Sequence, residues 1–289
     1  VTQSHRSARI DGLDVFYREA GDPQARTLVL LHGFPTSSVM YRTLIDELSD
    51  EFHLIAPDYP GFGLSSAPSP QEWGYTFDHL ADIVDALLDS LGLDRYALFV
   101  HDYGAPVGFR LAERHPDRIT GIVSQNGNAY DAGLTPFWDP LRRWWAGTTT
   151  AADEEALAGL TAREGTHWQY THGVPVDDLE LVDPTLEALD QAFLDRPGNA
   201  DIQRALFADY GVNPGRYAGW QEYLRRHQPL VLAAWGRHDE IFGPDGARAF
   251  AQDVPDAQVA LLDAGHFPLT TRLEETTNLM RPFLRGLPD

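Results

Sequence analysis

The sequence predicts an α/β fold: a mostly parallel sheet flanked by helices, with a helical cap inserted late in the chain. Three observations predict it. Short apolar runs alternate with stretches of helical periodicity, the pattern of a sheet covered on both faces. The alternation stops between about Asn128 and His227, where no strand-like run occurs and aromatic residues crowd. Strand-like runs resume at Leu230. The expected organisation is a first core segment 1–128, a cap 129–227 and a second core segment 228–289.

Taken in order, Ala8–Ile10 and Asp14–Tyr17 suit an N-terminal hairpin. The apolar runs Thr27–Leu31, Phe52–Pro57, Tyr96–Val100 and Ile119–Ser124 are the expected strands of the first segment. Leu230–Trp235 and Val259–Leu262 are those of the second. Helices are expected at Ser38–Leu48, Thr76–Leu91, Gly104–Arg114 and Arg272–Leu284. In Thr76–Leu91 the residues Leu80, Ile83, Val84, Leu87 and Leu88 recur at helical spacing and form a core stripe. Aromatic residues such as Phe137, Trp138, Trp168 and Tyr223 are expected to pack the cap against the core, over the sheet edge where open α/β folds place their sites.

Composition narrows the chemistry. With 289 residues, 43% of them hydrophobic, the chain can bury one large core plus an insertion. It contains no cysteine, which excludes disulfides, thiolate catalysis and cysteine-held metals. Every cationic side chain is arginine, so no lysine Schiff base can form. A net charge of −21 repels phosphate backbones and argues against nucleic acid as a partner. No apolar run reaches the roughly 18 residues a membrane helix needs. Val1–Ile10 is polar and carries no signal-peptide core. A cytoplasmic location is the expectation, and a homo-oligomer is compatible with the sequence. No His-Glu-x-x-His or other ligand set is present, so neither metal nor cofactor is expected.

Four short motifs follow the apolar runs. His32-Gly33-Phe34-Pro35 follows Thr27–Leu31. Asp102, in Val100-His101-Asp102-Tyr103-Gly104, stands between Tyr96–Val100 and a helical stretch. Asp239 follows Leu230–Trp235, and His266 follows Val259–Leu262. An aspartate before a helix is ordinarily an N-cap, and an isolated histidine is unremarkable. Their joint placement in this order points to a catalytic set. A carboxylate of reference pKa about 3.9 is ionised at neutral pH and can attack carbon without a base, leaving a covalent ester. A histidine oriented by an acid can then activate water to release it. Glu240 and Asp263 are the alternative acids nearby.

With these motifs the chain resembles the cap-bearing α/β-hydrolases with an aspartate nucleophile, a group comprising epoxide hydrolases and haloalkane dehalogenases. The resemblance spans nearly the whole chain and includes Pro60-Gly61-Phe62-Gly63-Leu64-Ser65. It implies Asp102 as nucleophile, His266 and Asp239 as the water-activating pair, and the backbone N–H groups of Phe34 and Tyr103 as the oxyanion hole. His32, Gly33 and Pro35 would order the loop. The epoxide-hydrolase branch also implies two cap tyrosines that protonate the epoxide oxygen, and Tyr170 and Tyr217 match best. Dehalogenases usually carry asparagine and tryptophan where this chain has Phe34 and Tyr103. The favoured expectation is therefore an epoxide hydrolase taking a small apolar epoxide and water. A haloalkane dehalogenase with an altered halide site is the alternative, and a non-catalytic ligand-binding relative is the third reading.

Overall fold

The computed structural model describes residues 2–288; the outermost residues of the two expected core segments, 1 and 289, lie outside them. The strands are β1 (Ser4–Ile10), β2 (Leu13–Ala20), β3 (Thr27–Leu31), β4 (His53–Pro57), β5 (Tyr96–His101), β6 (Ile119–Gln125), β7 (Leu230–Gly236) and β8 (Gln258–Leu262). They form one sheet in the order β1-β2-β4-β3-β5-β6-β7-β8. From β4 to β8 every neighbouring pair is parallel, while β1 and β2 form an antiparallel hairpin whose second strand runs antiparallel to β4.

The central strands are buried along their length because helices cover both faces, so they are apolar without alternation. The N-terminal strands are longer than expected. β1 is an edge strand with mostly exposed, polar side chains (Ser4, His5, Arg6 and Ser7), so hydrophobicity marks only its last residues.

Three helices lie between β3 and β6: α1 (Arg42–Leu48), α2 (Phe77–Ser90) and α3 (Gly104–Arg114). In α2 the Thr76 hydroxyl accepts from the His79 N–H as an N-cap, and the expected stripe Leu80, Ile83, Val84, Leu87 and Leu88 is buried. Residues Ser38–Tyr41, expected within the first helix, form a separate 3-10 turn.

Between β6 and β7 the described residues form short 3-10 turns and six helices: α4 (Asp139–Trp145), α5 (Ala151–Gly159), α6 (Arg163–Thr171), α7 (Pro184–Leu194), α8 (Asn199–Tyr210) and α9 (Asn213–His227). Asn199 Nδ2 and Arg196 Nη2 donate to the carbonyls of Gly61 and Gly63, tying this helical layer to the loop after β4. After β7 come α10 (Pro244–Asp253), α11 (Pro268–Thr271) and α12 (Leu273–Arg285). The sequence reading named no helix at Pro244–Asp253. Its buried face is built largely from Gly246, Ala247 and Ala249, which give little hydrophobic signal.

Candidate active site

The β5–α3 turn places Asp102 at φ +48°, a left-handed conformation rarely adopted by a residue with a side chain. Close packing holds it there. A Cβ on Gly104 would lie 2.1 Å from the Leu31 carbonyl oxygen, so α3 can start this close to β3 only with glycine. Across the turn, a Cβ on Gly33 would lie 2.3 Å from the Cβ of Asp102. Gly33 thus lets the loop after β3 close onto the carboxylate.

That closure gives Asp102 its partners. The Phe34 N–H donates to Asp102 Oδ1 over 2.6 Å, and the Tyr103 N–H also bonds the carboxylate. Burial is the largest influence on this group and pushes its pKa up to about 6, against the opposing pull of His266 and the two N–H groups; Asp239 adds a smaller upward push. His32, wholly buried, pairs through Nδ1 with the Gly33 carbonyl and accepts from the Tyr59 N–H at Nε2. Burial lowers its pKa to about 3, so it is a neutral link between the β3 and β4 loops.

Asp239 and His266 meet in the loops after β7 and β8. His266 Nδ1 pairs with Asp239 Oδ2 at 2.9 Å, and both side chains are buried. Asp239 also accepts from Asn126 Nδ2 at 2.7 Å and from the Ile241 N–H at 2.8 Å. Burial opposes charge on His266, but Asp239 and then Asp102 outweigh it and raise its pKa. His266 Nε2 is buried without a hydrogen-bond partner. The alternative acids are engaged elsewhere: Glu240 lies 3.1 Å from His172 and Asp263 lies 2.7 Å from His238, both in exposed pairs.

Asn126 is a site residue that the sequence reading did not select. At φ +52° after β6, its carbonyl accepts from the Asp102 N–H at 3.3 Å and its Oδ1 accepts from the Gly236 N–H at 3.0 Å. With Nδ2 on Asp239, one side chain and its backbone connect the Asp102 turn to the Asp239 loop. The signal was the polar run Gln125-Asn126-Gly127-Asn128 directly after a buried strand.

Asp102 opens onto a narrow cavity of about 20 Å³, room for roughly one water. Phe34 and Tyr103 line it from the core, and Phe137, Trp138, Leu141, Leu160, Gln169 and Phe207 from the helical layer, with Ile241 completing the wall. Neither expected tyrosine is among these. The Tyr170 hydroxyl donates to Asp190 Oδ2 at 2.6 Å, and its ring stacks on Phe267 at 4.5 Å. It faces a separate groove beside Met40 and Leu186. Tyr217 accepts from Asn128 Nδ2 at 3.2 Å and bonds the hydroxyl of Tyr210, whose ring stacks on Trp138 at 4.5 Å. Tyr217 therefore lies one aromatic layer behind the wall, with Tyr210 between.

Among the described residues no group of three or more His, Asp or Glu side chains is arranged to hold a metal, and no helix is long and apolar enough to cross a membrane.

Loops after parallel strands that carry a carboxylate turn, an acid and a histidine in this chain order define an α/β-hydrolase arrangement. A family model described as alpha/beta hydrolase fold matches residues 26–273, and the chain belongs to that family. It is 44% identical over 276 residues to an uncharacterized hydrolase of Saccharomyces cerevisiae, covering 94% of each chain. It is 34% identical over 248 residues to haloalkane dehalogenase 1 of Mycobacterium tuberculosis, covering 83% of this chain and 77% of that one. The solved haloalkane dehalogenase DbeA from Bradyrhizobium elkani aligns with a TM-score of 0.78 at 22% identity, over 99% of this chain and 98% of that one, a likeness of fold alone. The protein is a hydrolase of alpha/beta fold related to haloalkane dehalogenases.

Proposed function

We propose that this hydrolase opens a small apolar epoxide to a vicinal diol through an ester on Asp102. The observation that carries the reading is the Asp102 carboxylate itself. Oδ1 is held by the Phe34 N–H, the Tyr103 N–H bonds the same carboxylate, and the His266–Asp239 pair stands close enough to act on its charge.

In the first step Asp102 Oδ2 attacks an epoxide carbon, the ring C–O bond breaks, and its electron pair stays on oxygen. The proton comes through Tyr210, whose ring packs against the wall residues Tyr103 and Trp138, with Tyr217 hydrogen-bonded behind it; the resemblance gave this part to Tyr170 and Tyr217, but the Tyr170 hydroxyl is bonded to Asp190. In the second step His266 Nε2 takes a proton from water, and the hydroxide attacks the Asp102 carbonyl carbon. Negative charge then develops on Oδ1, where the Phe34 N–H already points, with the Tyr103 N–H on the same carboxylate; each such donor is worth about 2.7–4 kcal/mol. Collapse expels the diol oxygen, which is protonated by His266. The proton left over from hydrolysis returns to the phenolate, so the sum is epoxide plus water giving diol. The absence of a side-chain N–H at Phe34 and Tyr103 favours an oxygen leaving group over a halide.

A second reading, hydrolysis of a haloalkane, is favoured by the 34% identity to a haloalkane dehalogenase and by a cavity wall without a tyrosine donor from the helical layer. Intact mass on a His266→Gln variant tests both. Styrene oxide should add its whole mass at Asp102; 1-bromobutane should add a butyl group and release bromide. If neither adduct maps to Asp102, the ester mechanism is wrong.

A further inference from the structure

Gln169 is 5% exposed and forms part of the cavity wall shared with Asp102, yet its side-chain amide has no hydrogen-bond partner among the described residues. The amide is not among the fully enclosed unpaired polar groups, so it keeps accessible space in front of it.

The other N–H donors around the cavity are committed. Trp138 Nε1 donates to the Ile241 carbonyl at 2.8 Å. The Phe34 and Tyr103 N–H groups are on Asp102. The Tyr103 hydroxyl is buried without a hydrogen-bond partner, and its ring meets Phe77 edge-on at 4.9 Å. The remaining wall side chains are hydrocarbon. Among the N–H donors of the described lining residues, the amide on α6 is the one left to meet polarity in the substrate.

We infer that Gln169 Nε2 donates a hydrogen bond to the atom that leaves carbon when Asp102 attacks, an epoxide oxygen or a halogen. The inference rests on the proposed attack by Asp102 and adds the group that stabilises the departing charge. In either case the C–O or C–halogen pair moves onto an electronegative atom in a nearly dry, apolar cavity. There a neutral N–H donor stabilises the developing anion without itself losing a proton. An amide is not an acid, so with an epoxide the phenols still supply the proton. With a halide the hydrogen bond alone suffices.

The test is rapid-quench mass spectrometry of Asp102 alkylation in the His266→Gln background, with Gln169 intact or changed to Met. Styrene oxide, 1-chlorobutane and 1-bromobutane serve as separate probes. Loss of a hydrogen bond to a charged atom should slow alkylation by about 10–100-fold. Hydrolysis of the ester, followed with His266 intact, should be unchanged. The Tm of Gln169→Met should not fall, because methionine removes an unpaired polar group at similar volume. Slowing confined to styrene oxide assigns the bond to oxygen; slowing with the butyl halides, greater for chloride than for bromide, assigns it to halogen. Gln169→Glu, which keeps the shape but replaces the donor by an acceptor, should slow alkylation at least as much. Alkylation as fast in both variants as with Gln169, or equal loss in alkylation and hydrolysis with a lower Tm, overturns the Gln169 role and leaves Asp102 as the nucleophile. A failure to alkylate Asp102 even with Gln169 present removes the ester mechanism, and the Gln169 role falls with it.

Discussion

Replacing Gly33 by alanine puts a methyl group where the Asp102 side chain already sits. The added Cβ would lie 2.3 Å from Asp102 Cβ and 2.4 Å from Oδ1, both far inside van der Waals contact. Neither side can yield cheaply. Asp102 is fixed in a left-handed turn whose N–H is bonded to Asn126, and His32 ties the Gly33 segment to Tyr59. The strain is relieved by withdrawing the β3 loop from the carboxylate, which lengthens the 2.6 Å bond from the Phe34 N–H. Losing one such donor costs about 2.7–4 kcal/mol of transition-state stabilisation, or about 10²–10³-fold in rate. The loss should fall mainly on ester hydrolysis, where charge develops on Oδ1. Burst kinetics with styrene oxide would then show covalent ester accumulating in Gly33→Ala, with a steady-state rate at least 100-fold lower. Circular dichroism should show the fold retained. A Gly33→Ala enzyme that is folded and hydrolyses its ester at the wild-type rate would refute the claim that the Phe34 N–H acts on the Asp102 oxygen.

Two further expectations concern protons. In the proposed attack only ionised Asp102 reacts, and burial pushes its pKa up to about 6, so the alkylation rate should rise with pH, be half-maximal near pH 6, and be about tenfold lower at pH 5 than at pH 7; single-turnover quench measurements check this, and a rate flat between pH 5 and 7 counts against it. Asp190, with no exposed surface and beside Tyr170, is pushed up to about 7, chiefly by burial. The folded state therefore binds its proton more tightly than the unfolded chain does. Stability from this group is complete below about pH 4 and is lost as pH rises towards 7, by an amount on the order of a few kcal/mol. Asp190→Asn should lose less stability than wild type between pH 4.5 and 8 in urea titrations, and an equal loss in both proteins would exclude Asp190 as the source.

The parts of the site that the sequence made visible sit on strand ends. A parallel strand buried on both faces is a short, dense apolar run, and the residue after it lies at the carboxyl edge of the sheet whatever the packing details. His32, Asp102 and Asp239 each follow such a run by one to three residues, and His266 follows the half-exposed edge strand β8 by four, so recognising the strands already placed them along one edge. Asn126 occupies an equivalent position after β6. It went unselected because it works through its backbone carbonyl and a side-chain amide, and neither resembles an acid or a nucleophile. The missing features of α10 and β1 have related causes: small residues and an exposed edge dilute the periodicity on which the reading depends.

The helical layer obeys a different rule, and there adjacent residues exchange roles. Successive side chains on an α-helix turn by about 100°, so one residue's difference in phase separates the cavity from the far side of the helix. Trp168-Gln169-Tyr170 lies in α6, and the resemblance singled out Tyr170 for its hydroxyl. The helix instead turns Tyr170 towards Asp190 on α7 and Phe267, and sets Gln169 in the cavity wall. What decides the phase is not in the motif. Thr166, one turn earlier, bonds Gln191 on α7, and Tyr170 bonds Asp190 beside it, so two contacts on one face of α6 are spent on its neighbour. The choice between an acid hydroxyl and a neutral amide over Asp102 is therefore made by α7, about twenty residues downstream in the chain.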